Sequence, residues 1–142
     1  MIKEFRDEYF FLSNFFASPL EFEGIRYLNS EAAFQAQKCK TEEEKRTFSY
    51  LNPSEAKRKG RRVGIREDWE EVKDDMMYQV VKAKFEQNDD LLDRLLETGF
   101  QELQEGNTWN DRYWGVDLRT GKGLNHLGQI LMRIREETRS GK

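Results

Sequence analysis

The 142 residues of the chain are 37% hydrophobic and 13% aromatic, which is enough for one domain with a core and too little for two. Charged residues make up 36% of the chain and only two residues are proline, a composition that excludes a disordered protein. A net charge of −3 gives no general signal for nucleic-acid binding, and no apolar run approaches the roughly 20 residues of a membrane span.

The compartment follows from the cysteine usage. The single cysteine, Cys39, excludes an internal disulfide framework and a cysteine-based zinc site, and it fits a reducing compartment. The charged stretch MIKEFRDE at the start is not typical of a signal peptide. We therefore expect one cytoplasmic domain over residues 1–142, with no membrane partner.

The first third of the chain predicts strands followed by a helix. Residues 9–16 (YFFLSNFF) are aromatic but interrupted by two polar residues, which predicts a short strand that enters a loop. Apolar residues alternate over 20–27 around Glu23 and Gly24, which predicts a β-hairpin. Ser30 is expected to cap the next helix, in which one unusually polar face is formed by Glu31, Phe34, Gln35 and Lys38.

The middle of the chain predicts helices. Thr41 with Glu44 forms a capping-box pattern for a second helix, and the pair Asn52-Pro53 starts a third that Gly60 ends. Asp68 and Glu71 form a further capping-box pattern. It precedes a long amphipathic core helix that reaches about residue 85.

The last third is mostly helical. A leucine stripe over residues 88–99 predicts a short helix ended by Gly99, and residues 100–105 predict a strand. The closing helix spans residues 125–137 and is preceded by a glycine-rich stretch, which lacks the spacing of a nucleotide loop and predicts a turn. The sole histidine, His126, argues against a catalytic triad or a histidine-ligated metal, so we expect it to have a surface or capping role.

Three polar features have a functional and a structural interpretation. The segment WNDRYWGVD at 109–117 mixes large aromatics with polar groups, which favours a ligand-binding wall. Glu31 is a candidate carboxylate, although a carboxylate in a first helical turn is also stabilising by itself. The cationic cluster at 56–66 is either a phosphate-binding site or a solvated charged loop.

Three segments together resemble the NADAR family, also called YbiA-like proteins, in order and spacing. They span residues 11–38, 60–88 and 109–136, which is nearly the whole chain. The most specific matching elements are Ser13-Asn14-Phe15, the helix face from Glu31 to Lys38, Trp69 with Lys84-Phe85, Asn110-Asp111 with Trp114-Gly115, and Asn125 with Leu127-Gly128.

This resemblance implies an α+β fold, a compact and mainly helical domain with a small antiparallel sheet, and N-glycosidase activity. Members of the family cleave the C–N bond between ribose phosphate and a pyrimidine in early riboflavin intermediates, while others remove ADP-ribose from guanine in nucleic acid. Carried over by motif, the functional positions are Glu31, Trp69, Asp111 and Trp114.

The chemistry of N-glycoside hydrolysis fits these residue types. Positive charge develops on the sugar C1, so a carboxylate can stabilise it or activate water; Glu31 is the first candidate, and Asp111 shares the work, binds the ribose or protonates the base. Trp69 and Trp114 can stack on the base, although Trp69 also fits core packing. Further expected substrate contacts are Asn14, Phe15, Gln35, Lys38 and Asn110, with Lys57 or Arg61 at a 5′-phosphate.

Three functions are compatible with the sequence. The first is hydrolysis of a small phosphorylated ribosyl-pyrimidine. The second is removal of ADP-ribose from guanine through a lysine adduct at Lys38, the one alternative that involves nucleic acid. The third is a non-catalytic ADP-ribose-binding module. Because the sequence has no metal cluster and no nucleotide fingerprint, we expect hydrolysis to need neither a metal nor NAD.

Overall fold

A β-hairpin begins the part of the chain that carries most of the predicted site residues. In the computed structural model, which describes residues 1–141, β1 (Ala17–Phe22) pairs antiparallel with β2 (Ile25–Asn29). Glu23 and Gly24 form the turn, both with positive φ, as a tight hairpin requires. Every second side chain is buried, and the predicted hairpin is confirmed; the buried apolar residues are Leu20, Phe22, Ile25 and Tyr27.

Three short helices follow this hairpin: α1 (Ser30–Ala36), α2 (Glu42–Arg46) and α3 (Pro53–Gly60). The predicted starts of α2 and α3 are confirmed, since Thr41 caps α2 and Asn52 forms a complete capping box with Glu55. The predicted cap of α1 is one residue off. Asn29 caps that helix by accepting the N–H of Ala32 at 2.7 Å, because Ser30 already lies inside the first turn.

The long helix α4 (Trp69–Glu86) has the predicted extent, and its buried side includes Met77, Val80, Val81 and Phe85. The capping-box prediction at its start is wrong. Asp68 is the residue before the helix, but its carboxylate makes no cap hydrogen bond and instead binds the guanidinium of Arg66 at 2.6 and 2.9 Å. The bidentate ion pair with the arginine binds the carboxylate more strongly than the backbone N–H groups at the start of the helix would.

The remaining elements are a 3₁₀-helix (Asp7–Leu12), α5 (Asp89–Glu97), β3 (Gly106–Asn107), β4 (Val116–Asp117) and α6 (His126–Arg139). The leucine-stripe helix, its end before Gly99 and the closing helix are confirmed. β3 and β4 pair in parallel, which the sequence pattern did not indicate. Leu91 and Leu95 of α5 are buried, as are Leu127, Leu131 and Ile134 of α6.

Two strand predictions are wrong. The aromatic segment 9–16 begins in the 3₁₀-helix and not in a strand, because the carbonyls of Arg6 and Phe10 accept the N–H groups three residues ahead, at 2.8 and 2.9 Å. The segment 100–105 makes a single parallel bridge between Ile2 and Leu103 instead of a strand. A strand needs a continuous ladder of hydrogen bonds to a partner strand, and the apolar pattern alone does not provide that partner.

The described residues form two compact units, one from Asn14 to Asn88 and one that combines Met1–Ser13 with the part from Asp89 onward. The predominantly helical α+β fold with a small antiparallel sheet is confirmed, while one domain over residues 1–142 stays a prediction. None of the helices within residues 1–141 has the length and apolar character that crossing a membrane requires.

Candidate active site

Helix α1 places Glu31 in a buried position in its first turn. The side chain is 8% exposed, and its Oε2 accepts a hydrogen bond from Nε2 of Gln35 at 2.7 Å, one turn along the helix. The backbone N–H of Glu31 donates to the carbonyl of Asn14 at 3.2 Å. A buried carboxylate held by an uncharged donor can act on a substrate as a base or as a stabilising charge.

Asn14 fastens the start of α1 to α4. Its Oδ1 accepts the hydroxyl hydrogen of Ser30 at 2.8 Å, and its Nδ2 donates to the Sδ of Met77 at 3.4 Å. Because Asn14 is 6% exposed and both ends of its amide have protein partners, its visible role is to position the helix that carries Glu31. The predicted substrate contact of Asn14 stays a prediction.

Lys38 follows α1 by two residues and lies beside the end of α3. Its Nζ donates to the carbonyl of Gly60 at 3.4 Å. Burial lowers the pKa of the Lys38 ammonium, and the negative charge of Glu31 opposes this shift. A lowered pKa favours the uncharged form of the amine, which is the form that acts as a nucleophile.

Trp69 and Phe15 differ in their surroundings. Trp69 is 6% exposed and packs on Phe34, with ring centroids 5.3 Å apart. This contact gives Trp69 the core-packing role that the sequence left open, and its stacking on a base stays a prediction. Phe15 is half-buried, and the ammonium of Lys57 lies 5.8 Å from the centre of its ring, within the range of a cation–π contact.

The cationic cluster at 56–66 occupies the last turn of α3 and the loop beyond it. Arg58, Arg61 and Arg62 are exposed, and within residues 1–141 none of these three forms an ion pair with a carboxylate. Arg66, by contrast, is neutralised by its pair with Asp68. Three guanidinium groups without carboxylate partners are available to an anion in solution.

In the other unit, Asp111 organises the loop that carries the aromatic segment. Its Oδ1 accepts the N–H groups of Tyr113 at 3.1 Å and of Trp114 at 3.0 Å, and its own N–H donates to Oδ1 of Asn107 at 3.0 Å. This is an Asx-type turn, in which a carboxylate replaces a backbone acceptor. Asn110 precedes it, exposed and in the left-handed backbone region with φ of 64°.

Trp114 belongs to an aromatic group with Tyr113 and His126. The Tyr113 ring lies 4.8 Å from that of Trp114 and 4.5 Å from the imidazole. The carbonyls of Tyr113 and Trp114 accept the N–H groups of His126 and Leu127, so this loop caps α6. The half-buried Trp114 leaves aromatic surface in contact with solvent.

The structure brings Glu31, Gln35 and Lys38 together on one side of α1, as the helical spacing predicted. In the same unit Ser30 binds Asn14 and Gly60 lies against Gln35, and in the other unit Tyr113 and His126 pack against Trp114; the sequence did not predict these contacts. Local signals predicted only a cap at Ser30 and a helix end at Gly60, because their contacts with Asn14 and Gln35 join segments distant in sequence. Asn110, Asp111 and Trp114 lie in the unit that contains both ends of the described chain.

Comparison with known proteins places the chain in a family. A family model described as the NADAR domain matches residues 2–139. The chain is 43% identical over 136 residues to the N-glycosidase YbiA of Shigella flexneri serotype 5b, covering 92% of this chain and 82% of that protein.

A solved structure and a second curated protein are also similar. The NMR structure of the E. coli protein YbiA has a TM-score of 0.85 and 36% identity, covering 99% of this chain and 88% of that one. A riboflavin biosynthesis protein of Vibrio vulnificus is 35% identical over 130 residues, which are 89% of this chain and 35% of that protein. The chain therefore belongs to the NADAR domain family and is an enzyme of its N-glycosidase type, a hydrolase that acts on N-glycosyl bonds.

Proposed function

We propose that this N-glycosidase hydrolyses the C–N bond between ribose 5-phosphate and a pyrimidine base, in compounds of the kind formed early in riboflavin biosynthesis. The observation that carries the proposal is the buried carboxylate of Glu31, which accepts a hydrogen bond from Gln35 at 2.7 Å, while the backbone N–H of the same residue donates to the carbonyl of Asn14 at 3.2 Å. The name of the Vibrio vulnificus relative supports the substrate class.

Glu31 acts at the sugar C1. As the bond from C1 to the base nitrogen breaks, positive charge develops on the sugar, and a carboxylate beside it lowers the energy of that state. The oxygen of a water molecule then bonds to C1 and Glu31 accepts a proton from that water; the departing base takes up a proton from the solvent, to which Glu31 afterwards releases its own. Free base and ribose 5-phosphate are the products, so the reaction needs no redox partner.

The cationic cluster holds the 5′-phosphate. Arg58, Arg61 and Arg62 have no carboxylate partner among residues 1–141, so their positive charge is available to a phosphate at little desolvation cost. An anchored phosphate also helps to orient the sugar for attack. The proposed substrate is therefore a small nucleotide-like molecule, met in the cytoplasm, which fits the free thiol of Cys39.

A substrate panel tests the proposal. The purified protein is incubated with ribosylaminopyrimidine phosphates, ADP-ribosyl-guanosine and NAD, and the released base or nucleoside is measured by chromatography. We expect release of the pyrimidine from the first group, and Glu31→Gln is the matched control that keeps the size and polarity of the side chain. Release of guanosine from ADP-ribosyl-guanosine, with no base released from the other compounds, would contradict the proposed substrate class.

A second candidate function is removal of ADP-ribose from guanine in nucleic acid. The observation that favours it is the position of Lys38, whose Nζ donates to the carbonyl of Gly60 at 3.4 Å and whose partial burial lowers the pKa of its ammonium. The amine nitrogen would bond to C1 as the bond to guanine breaks, and the proton lost by the amine would go to guanine; opening of the ribose ring would give an imine that water later hydrolyses to free the sugar. Reduction of the reaction mixture with cyanoborohydride should then leave a mass increase on Lys38 that is absent from Lys38→Arg.

A further inference from the structure

Gln35 lies between the carboxylate of Glu31 and the end of α3. Its Nε2 donates to Glu31 at 2.7 Å, and the side chain is 7% exposed. Its Oε1 is buried and has no hydrogen-bond partner among residues 1–141. A buried acceptor without a donor lowers stability, so this orientation of the amide is retained at a cost in folding free energy.

Gly60 provides the space that the Gln35 side chain occupies. A Cβ at position 60 would collide with Oε1 of Gln35 and would lie 2.7 Å from its Cδ and 3.3 Å from its Cβ. Gly60 is the last residue of α3 and is not among the glycines with positive φ, so its backbone conformation is open to any residue. The need for glycine here is therefore steric, and it concerns Gln35.

The contact extends to Lys38. The carbonyl of Gly60 accepts the hydrogen bond from Nζ of Lys38 at 3.4 Å, so the same residue that confines Gln35 also holds the amine. Glu31, Gln35 and Lys38 are thus connected to the end of α3 at a single residue. Small shifts of that residue would change the geometry of both polar groups, and misplacement by about 1 Å can cost on the order of a hundredfold in rate.

We propose that Gln35 and Gly60 form a positioning pair for Glu31: the amide of Gln35 fixes the carboxylate, and Gly60 confines Gln35 in the orientation that does so. This inference rests on the proposed role of Glu31 in hydrolysis. It assigns Gln35 to the carboxylate and not to the substrate, in place of the substrate contact predicted from the sequence.

The first test is Gln35→Met, which keeps the side-chain length and removes the donor. We expect kcat to fall by about tenfold to a hundredfold while KM stays within about twofold, because the lost interaction orients a reacting group. The acidic limb of the kcat profile should move to higher pH, since a donor to the ionised form of a carboxylate lowers its pKa. A rise in KM with kcat unchanged would assign Gln35 to the substrate and overturn the proposal.

The second test is a double-mutant cycle. Gly60→Ala alone should reduce kcat, because the new methyl group displaces the amide of Gln35. In a Gln35→Ala background, where that amide is absent, Gly60→Ala should change kcat by less than about twofold. Additive losses would show that Gly60 acts independently of Gln35, and the positioning pair would be rejected. Thermal unfolding of each variant identifies losses that come from instability.

A measurement that does not depend on catalytic turnover, the NMR titration of Glu31, tests this inference separately from the proposed function. In protein labelled with carboxyl-¹³C glutamate, the Glu31 resonance is assigned by its absence from Glu31→Gln and followed against pH. We expect Gln35→Met to raise the pKa of Glu31 even if Glu31→Gln proves active, which would overturn the proposed function alone. An unchanged titration in Gln35→Met would overturn the inference while leaving a Glu31-dependent activity in place.

Discussion

The indole of Trp69 packs against the ring of Phe34 with the centroids 5.3 Å apart and the planes tilted by 48°. Because Trp69 is 6% exposed, Trp69→Ala should lower the free energy of unfolding by about 3–5 kcal/mol, measured by urea denaturation. Trp109→Ala is the matched control, since Trp109 is 61% exposed and the expected change is within about 0.5 kcal/mol. Equal stability of both variants would contradict the core assignment of Trp69.

Glu31→Gln and Trp114→Ala should impair the enzyme in different ways. A positioned acid or base contributes about 10²–10⁴-fold, so Glu31→Gln should lose most turnover while substrate still binds by calorimetry. Trp114→Ala should weaken binding by about 1–3 kcal/mol, as one lost stacking contact would. Circular dichroism and thermal melting must first show both variants folded. Near-normal turnover of folded Glu31→Gln would make Asp111 the leading candidate.

Arg61→Ala tests the phosphate role of the cationic cluster. Since Arg61 is exposed and has no carboxylate partner within residues 1–141, its loss should raise KM for a phosphorylated substrate far more than for its dephosphorylated form. Arg26→Ala removes an exposed arginine from β2 and serves as the control with unchanged KM. Equal losses on both substrates would limit the cluster to a structural role.

Lys84 gives the stability a defined pH dependence. Burial lowers the pKa of Lys84 to about 7, with its ammonium 5.2 Å from the ring of Phe85 and 6.0 Å from that of Phe16. Above about pH 7 the folded chain binds fewer protons here than the unfolded chain. The contribution of Lys84 to the free energy of unfolding should therefore rise with pH, by up to about 1.4 kcal/mol per unit, and level off below about pH 7.

Chemical denaturation between about pH 7 and about pH 8.5 measures this slope, and Lys84→Met should flatten it. The pH range ends at about 8.5 because burial raises the pKa of Cys39 and raises that of Tyr27 to about 12. At higher pH both groups lower the free energy of unfolding, which opposes the effect of Lys84. A slope that is unchanged in Lys84→Met would show that the amine is not the source.

Hydrolysis should require neither a metal nor NAD. Among the side chains of residues 1–141, no group of three or more His, Cys, Asp and Glu is arranged to hold a metal ion. We expect EDTA to leave the initial rate unchanged, measured as free base released with and without the chelator. Strict dependence on an added divalent metal would refute this expectation.

The local elements were predictable where a signal lies within a few residues. The hairpin at Glu23-Gly24, the capping box at Asn52 and the extent of α4 follow from turn chemistry, capping and helical periodicity. The strand predicted within residues 9–16 is wrong because a strand depends on a distant partner, whereas the backbone there forms local hydrogen bonds. Asp68 failed as a cap because Arg66 binds its carboxylate.

The sequence alone determined which residue types the candidate site contains. It also placed Glu31, Gln35 and Lys38 on a common face, since a helix brings together residues that are three or four apart. Only the tertiary structure decided what those residues touch. Gly60 confines Gln35, Asn14 ties α1 to α4, and Trp69 packs on Phe34. Each contact joins segments far apart in the chain, and close packing in three dimensions leaves no periodic trace in a linear sequence.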